Sequence, residues 1–280
     1  MREVNVKDIS DALRDLAIDA NCVLGDNEVE CFKRMVEVEE SPTGKEILDL
    51  MLENARIARE EQVPICQDTG MAVVFLEIGQ DLHLVGGDLS EAVDDGVRRG
   101  YEEGYLRKSI LSDSINRVNT GDNTPAFIHT KIVPGDKVRI VLAPKGGGSE
   151  NMSRFRALKP SEGIEGVKDF VVQAVSEAGG NPCPPVVVGV GLGGPFEKVA
   201  LRAKEALLIP LGQRNPDPFY AGVEEELLER INNTGVGPQG LGGRVTALDV
   251  HIVPGPCHIA TLPVAVNLNC HATRHGERII

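Results

Sequence analysis

Near residue 63 the hydrophobic period of the chain changes, and no other feature restricts the fold as much. Before that point apolar residues recur at helical spacing: Ile9, Leu13, Leu16 and Ala17, then Ile47, Leu50, Met51 and Ile57. Residues 21–27 and 41–44 read as breaks. Beyond it, residues 71–78 read as a strand. Asp88 and Glu91 make an N-cap pair ahead of Val93, Val97, Tyr101 and Tyr105, so a helix is expected to run towards Leu106. Residues 126–133 and 137–143 are β-rich runs joined by Pro134-Gly135-Asp136, a hairpin signal. Helices are expected over 164–178, 196–208 and 219–231, and strands over 186–190, 245–253 and 260–268. There is no internal repeat, low-complexity tract or long linker. The expectation is one α+β domain over residues 1–280, with a helical N-terminal portion to about 62 and a mixed α/β sheet core from about 63.

A chain of 280 residues with 41% hydrophobic content has enough material for a large core. Aromatics are 4% and Trp is absent, so Val, Ile, Leu and Ala must fill it. The formal net charge of −13 argues against a nucleic-acid partner, which needs clustered Lys and Arg. An anionic substrate would meet a local site rather than this mean field. No apolar run approaches the ~20 residues that span a bilayer, and MREVNVKDIS lacks a signal-peptide apolar region. A cytoplasmic protein without membrane contact is expected. Its six cysteines should then be thiols or metal ligands rather than disulfides.

The turn PICQDTG, residues 64–70, sharpens the cysteine question. A turn calls for Pro, Asp and Gly, but not for Cys or Gln. The cysteines are 22, 31, 66, 183, 257 and 270, and none forms a CxxC pair. Cys22 and Cys31 fall in helical patterns and read as small hydrophobes. The other four lie in turn-rich loops that expose a thiol. Three thiolates from three loops would hold a [4Fe–4S] cluster with one iron open to act as a Lewis acid. Scattered thiols satisfy the same pattern. Lys145 to Ser149, KGGGS, reads either as an anion-binding nest or as a flexible loop. Gly189 to Gly194 satisfies G-x-G-x-x-G after a strand and before a helix, which raises a dinucleotide-binding oxidoreductase. Two features count against that reading. The thiol of NPCPP directly precedes the strand, and LIPLGQRNPDPF lacks the acidic residue expected about 20 positions on.

Taken together, CQDTG, KGGGSEN, NPCPPVVVGVGLGG and PCHIATLPVAVNLNC resemble the class I (iron–sulfur) fumarate hydratase and L-tartrate dehydratase family, and within it the separate alpha subunit of the two-subunit form. The resemblance runs from about Arg56 to Arg274. It implies that Cys66, Cys183 and Cys270 are the cluster ligands and that Cys257 is not. It implies substrate contacts by Gln67 and Asp68, carboxylate binding by Arg107, and substrate contact by the loop Gly146, Gly147 and Gly148. His258, twelve residues before Cys270, matches a histidine that in the family can reach a neighbouring subunit's site.

The activity implied by the resemblance is hydration of fumarate to malate, with L-tartrate as the alternative substrate. Proton loss beside a carboxylate builds negative charge, which Arg107 and the glycine amides would stabilise. Asp68 would transfer the proton or orient the base. In fused family members a C-terminal domain supplies that base, so a separate beta subunit is expected, in a heterotetramer built on an alpha–alpha dimer. A subunit that carries the cluster as a scaffold, without chemistry of its own, is the third function class. His271 and His275 are possible neighbours of the cluster, whereas His83, His129 and His251 read as sheet or surface residues.

Overall fold

A computed structural model describes residues 2–280. In chain order its first elements are β1 (Arg2–Asn5), α1 (Val6–Cys22), α2 (Asp26–Val38), α3 (Pro42–Glu61), β2 (Met71–Gly79), β3 (Leu82–Val85) and α4 (Leu89–Glu103). Then come β4 (Phe127–Val133), β5 (Val138–Lys145), α5 (Gly147–Glu150), β6 (Arg154–Leu158) and α6 (Gly163–Ala178). The last are β7 (Val186–Leu192), α7 (Phe196–Ala206), α8 (Pro218–Asn232), β8 (Ala247–Pro254), β9 (Leu262–Asn269) and β10 (Gly276–Ile279). The class is α+β with a helical N-terminal portion, as the change of period implies. No helix among the described residues is long and apolar enough to cross a membrane. The described residues form two compact units, 2–24 with 55–147 and 274–280, and 25–54 with 148–273.

In the first unit a sheet of order β10-β5-β2-β4 packs under α1 and α4. Asn5 caps α1 by accepting from Lys7 N, and Asp88 caps α4 by accepting from Ser90 N and Glu91 N. Ile9, Leu13 and Leu16 of α1 and Val93, Val97 and Tyr101 of α4 meet Val74, Leu76, Ile140 and Leu142 of the sheet in one core. The expected hairpin of residues 126–143 does not form. Both runs are strands, but β2 lies between them, parallel to β4 and antiparallel to β5. The physical reason is burial. β2 is the more apolar strand, almost wholly buried, whereas β4 is mostly exposed and suits an edge. The Pro-Gly-Asp turn hydrogen-bonds to the turn that follows β2, Asp81 N donating to Gly135 O at 3.0 Å.

The second unit holds a sheet of order β6-β9-β7-β8. β7 is buried at every position, as a strand covered on both faces must be. Val186, Val188, Val190 and Leu192 enter the main core with α6 and α8. Gly189 and Gly191 face α7, where a β-carbon would come within 2.1 Å of Ala203 O and Val199 O respectively. The glycines that mimic a dinucleotide motif are therefore required by the close approach of α7 to the sheet. Cys22 in the first unit and Cys31 in the second are buried, and burial pushes both thiol pKa values up. Among the described residues no disulfide forms.

Gly191→Val should lower stability by about 2–3 kcal/mol, because it overpacks the strand against helix backbone. Gly222→Ala, in α8 with open space around the new methyl, should raise it by about 0.8 kcal/mol through helix propensity. Denaturant unfolding of both variants checks the pair.

Candidate functional site

The turn between α3 and β2, in the first unit, is held from several sides. Ile65 N donates to Asn21 O at 2.9 Å, and Thr69 Oγ1 donates to Arg107 O at 3.0 Å. Asn123 Nδ2 donates to Gly70 O at 3.2 Å. The Tyr101 hydroxyl lies 2.8 Å from Thr69 O and 3.0 Å from Gly70 O. Burial pushes its pKa up, so it remains a donor. Within this frame the Asp68 carboxylate accepts from Gly70 N through Oδ1 at 3.0 Å and from Gly147 N through Oδ2 at 2.8 Å. Each carboxylate oxygen keeps a second acceptor position.

Asp68, Arg107, Ser109, Lys145 and Gly147 line one cleft of ≈ 260 Å³, with Met71 and Ile110 as its apolar wall. Lys145 is only 3% exposed, whereas the Arg107 side is open. Two cations and one carboxylate give the cleft a net positive charge within an acidic chain. Gly146 is buried beside it, and a β-carbon there would lie 3.2 Å from Asp68 Oδ2. Gln67 is exposed, and its Oε1 accepts from Cys66 Sγ at 3.4 Å. Of the residues expected at the substrate, the structure thus brings Asp68, Arg107, Gly146 and Gly147 together, although the Gly147 N–H is turned onto Asp68. Ser109 was not foreseen. Its place two positions after Arg107 in YLRKS was the available signal.

In the second unit, β7 and β9 run antiparallel with Val187 opposite Asn269. The loop before β7 and the loop after β9 therefore meet at one end of the sheet, which sets Cys183 beside Cys270 and His271. His271 N donates to Cys183 O at 3.3 Å, and His271 Nδ1 lies 3.1 Å from the same carbonyl. Gln239 Nε2 braces the loop by donating to Pro184 O at 3.0 Å. Cys183 is exposed at φ 54°, and Cys270 is half-buried. Gly148 lies near this loop, since a β-carbon on it would sit 3.3 Å from Asn181 O. Cys257 and His258 precede β9, at its opposite end. The eight residues of that strand, about 26 Å of extended chain, lie between them and Cys270. There they line an apolar cleft of ≈ 510 Å³ with Phe155 and Phe196. His258 is exposed, and its Nδ1 accepts from Ala260 N at 3.2 Å. His251 is a fully buried sheet residue, and His129 stacks on Phe75 at 5.1 Å.

Within neither unit, among the described residues, do three His, Cys, Asp or Glu side chains gather as a finished metal site. Loop thiols are nonetheless the donor type that an iron–sulfur cluster takes. Cys183 and Cys270 are thiols on adjoining loops at a strand end, and Cys66 sits half-buried on its own turn in the first unit.

Residues 10–278 match the family model described as fumarate hydratase (fumerase). This chain belongs to the fumerase family. It is 42% identical over 278 residues to a Methanocaldococcus jannaschii protein named "Putative L(+)-tartrate dehydratase subunit alpha", covering 97% of each chain. It is 37% identical over 255 residues to an Escherichia coli protein named "L(+)-tartrate dehydratase subunit alpha", covering 90% of this chain and 84% of that one.

In the fumerase chain the loop under the cleft carries an acid-sensitive tie. Asn123 Oδ1 accepts from Ser109 N at 2.6 Å, and the neighbouring Asp122 accepts from Thr124 N, Thr124 Oγ1 and Arg98 Nε. Burial alone would raise the Asp122 carboxyl, but these donors outweigh it and bring it from 3.8 down to about 2. A depressed carboxylate pKa stabilises the fold above its unfolded value, and that contribution fades as pH falls through the folded value. Thermal unfolding between pH 4 and pH 2 should therefore lose stability more steeply in the parent than in Asp122→Ala.

Proposed function

We propose that this chain is the alpha subunit of an iron–sulfur hydro-lyase that interconverts fumarate and (S)-malate. The observation that carries the reading is the first unit's cleft, where Arg107 and Lys145 stand with Asp68 and the KGGGS turn. Dehydration of malate takes a proton from the carbon beside one carboxylate and a hydroxide from the next carbon. The first event places extra charge on the carboxylate, and Arg107 and Lys145 are the cations that line the cleft. Arg107, at the open side, binds the substrate carboxylate. Asp68 moves the proton or orients the base through the acceptor positions that Gly70 and Gly147 leave it. Gln67, on the same turn, and the backbone of Gly146 to Gly148 complete the contacts.

Cys66, Cys183 and Cys270 would hold a [4Fe–4S] cluster, which supplies a Lewis acid for the departing hydroxide. Strand β9 separates His258 from Cys270 of its own chain, which favours its service at a neighbouring copy's site in an alpha–alpha dimer. The alpha designation of the relatives supports a separate beta subunit, and that chain would supply the base. A cytoplasmic location agrees with six cysteines kept as thiols. A second reading, L(+)-tartrate as substrate, is favoured by the names of the same relatives.

Anaerobic reconstitution should give about four irons per chain, retained in Cys257→Ser and lost in Cys183→Ser. Turnover should appear only when the chain is combined with its beta partner. It should fall about 10²- to 10⁴-fold in Asp68→Asn. Rates with malate and with L-tartrate, measured side by side, choose between the two substrates, and full turnover by Asp68→Asn would remove Asp68 from the mechanism.

A further inference from the structure

The sequence drew attention to the histidines of NCHATRHGER, yet an arginine of that segment bonds to the turn that carries Asp68. Arg274 is 4% exposed. Its Nη1 donates to the main-chain oxygen of Asp68 at 2.6 Å and to Asn21 Oδ1 at 3.0 Å. Asn21 is fully buried and fixed in turn, its Nδ2 donating to Ala17 O at 2.8 Å and its carbonyl accepting from Ile65 N. On the other side, Arg274 Nη2 would lie 3.5 Å from a β-carbon on Gly146, which the Asp68 carboxylate would meet at 3.2 Å. The guanidinium thus stands behind Asp68, between helix α1 and the Gly146-Gly147 turn.

From this placement we infer that Arg274 is a positioning residue. It fixes the backbone of residues 66–70 against α1, and so sets where the Asp68 carboxylate points into the cleft. The inference rests on the proposed role of Asp68. The geometry favours arginine specifically, because Nη1 alone makes both bonds while Nη2 of the same rigid plane lies towards the Gly146 turn, whereas an ammonium on a flexible stem supplies a single point. Misplacing a reacting group by about an ångström costs on the order of 10²-fold in rate without a matching change in binding.

The test compares Arg274→Gln and Arg274→Lys with the parent, each assembled with the beta partner. Val93→Ala, a cavity variant in the same core, serves as a control for stability loss. In Arg274→Gln, kcat on the dicarboxylate should fall about 10²-fold with KM changed less than about threefold. Arg274→Lys should recover part of that loss, and Val93→Ala should keep the parental kcat. Independently of turnover, amide hydrogen exchange over residues 64–72 should quicken selectively in Arg274→Gln and not in Val93→Ala. Unchanged exchange in that peptide, or a kcat loss that Val93→Ala reproduces at equal stability, overturns the inference. If the parent turns over no dicarboxylate, the proposed function fails, and the exchange arm still decides whether Arg274 holds the turn. If the Arg274 variants do not fold, Asn21→Ala must show the same selective exchange and kcat loss, and its failure to do so overturns the inference.

Discussion

The Asp68 carboxylate accepts one backbone N–H from its own turn and one from the start of α5, and the cleft depends on that pair of bonds. A charged acceptor makes each bond about twice as strong as a neutral one. The first bond closes the turn before β2 on itself, and the second fastens that turn to the loop after β5, where the ladder between these strands closes at Met71 and Lys145. Lys145 and Asp68 come to one cleft because adjacent strand ends carry them there. Arg107 arrives by a different route, its carbonyl taken by Thr69. A single turn therefore acts as structural fastener and as bearer of the proposed proton-transfer group, and these two demands explain why an aspartate occupies it.

Much of this was legible in the sequence because it is local. Helix periods, the Asp88 cap, the strand at residues 71–78 and the buried Cys22 and Cys31 follow from spacing within a few residues. The short strands β1, β3, β6 and β10 were not legible, since partners elsewhere in the chain stabilise them: β1 pairs with β3, and β10 with β5. The same limit hid Arg274 and Asn123. An arginine near a chain end and an asparagine in a polar loop have no periodic signature, and their roles appear only once Asp68, Ser109 and Gly70 are near them.

The glycine run at 189–194 shows how one pattern can answer two physical needs. A phosphate-binding turn and a helix packed tightly on a strand both exclude side chains, so both select glycine. What separates them is which face of the strand the glycines occupy. Here Gly189 and Gly191 alternate with Val188 and Val190, and the absent β-carbons make room for the backbone of α7. The cysteines differ in the same way. Turn composition treats Cys183, Cys257 and Cys270 alike, but β9 carries Cys257 and Cys270 to its opposite ends.

The insertion of β2 between β4 and β5 has a kinetic meaning as well. The quickest pairing open to residues 126–143 is the direct hairpin, which closes a very short loop. The native pairing of β4 instead closes the whole stretch from Gly79 to Phe127, at an extra entropic cost of about 2 kcal/mol. Folding must therefore reject the nearest partner in favour of a distant one. What decides the choice is the apolar side chains of β2, whose burial at about 25 cal/mol per Å² exceeds that entropic difference once a few of them are covered. A polar substitution in the middle of β2 would thus weaken the core and also shift the balance towards the wrong strand neighbour.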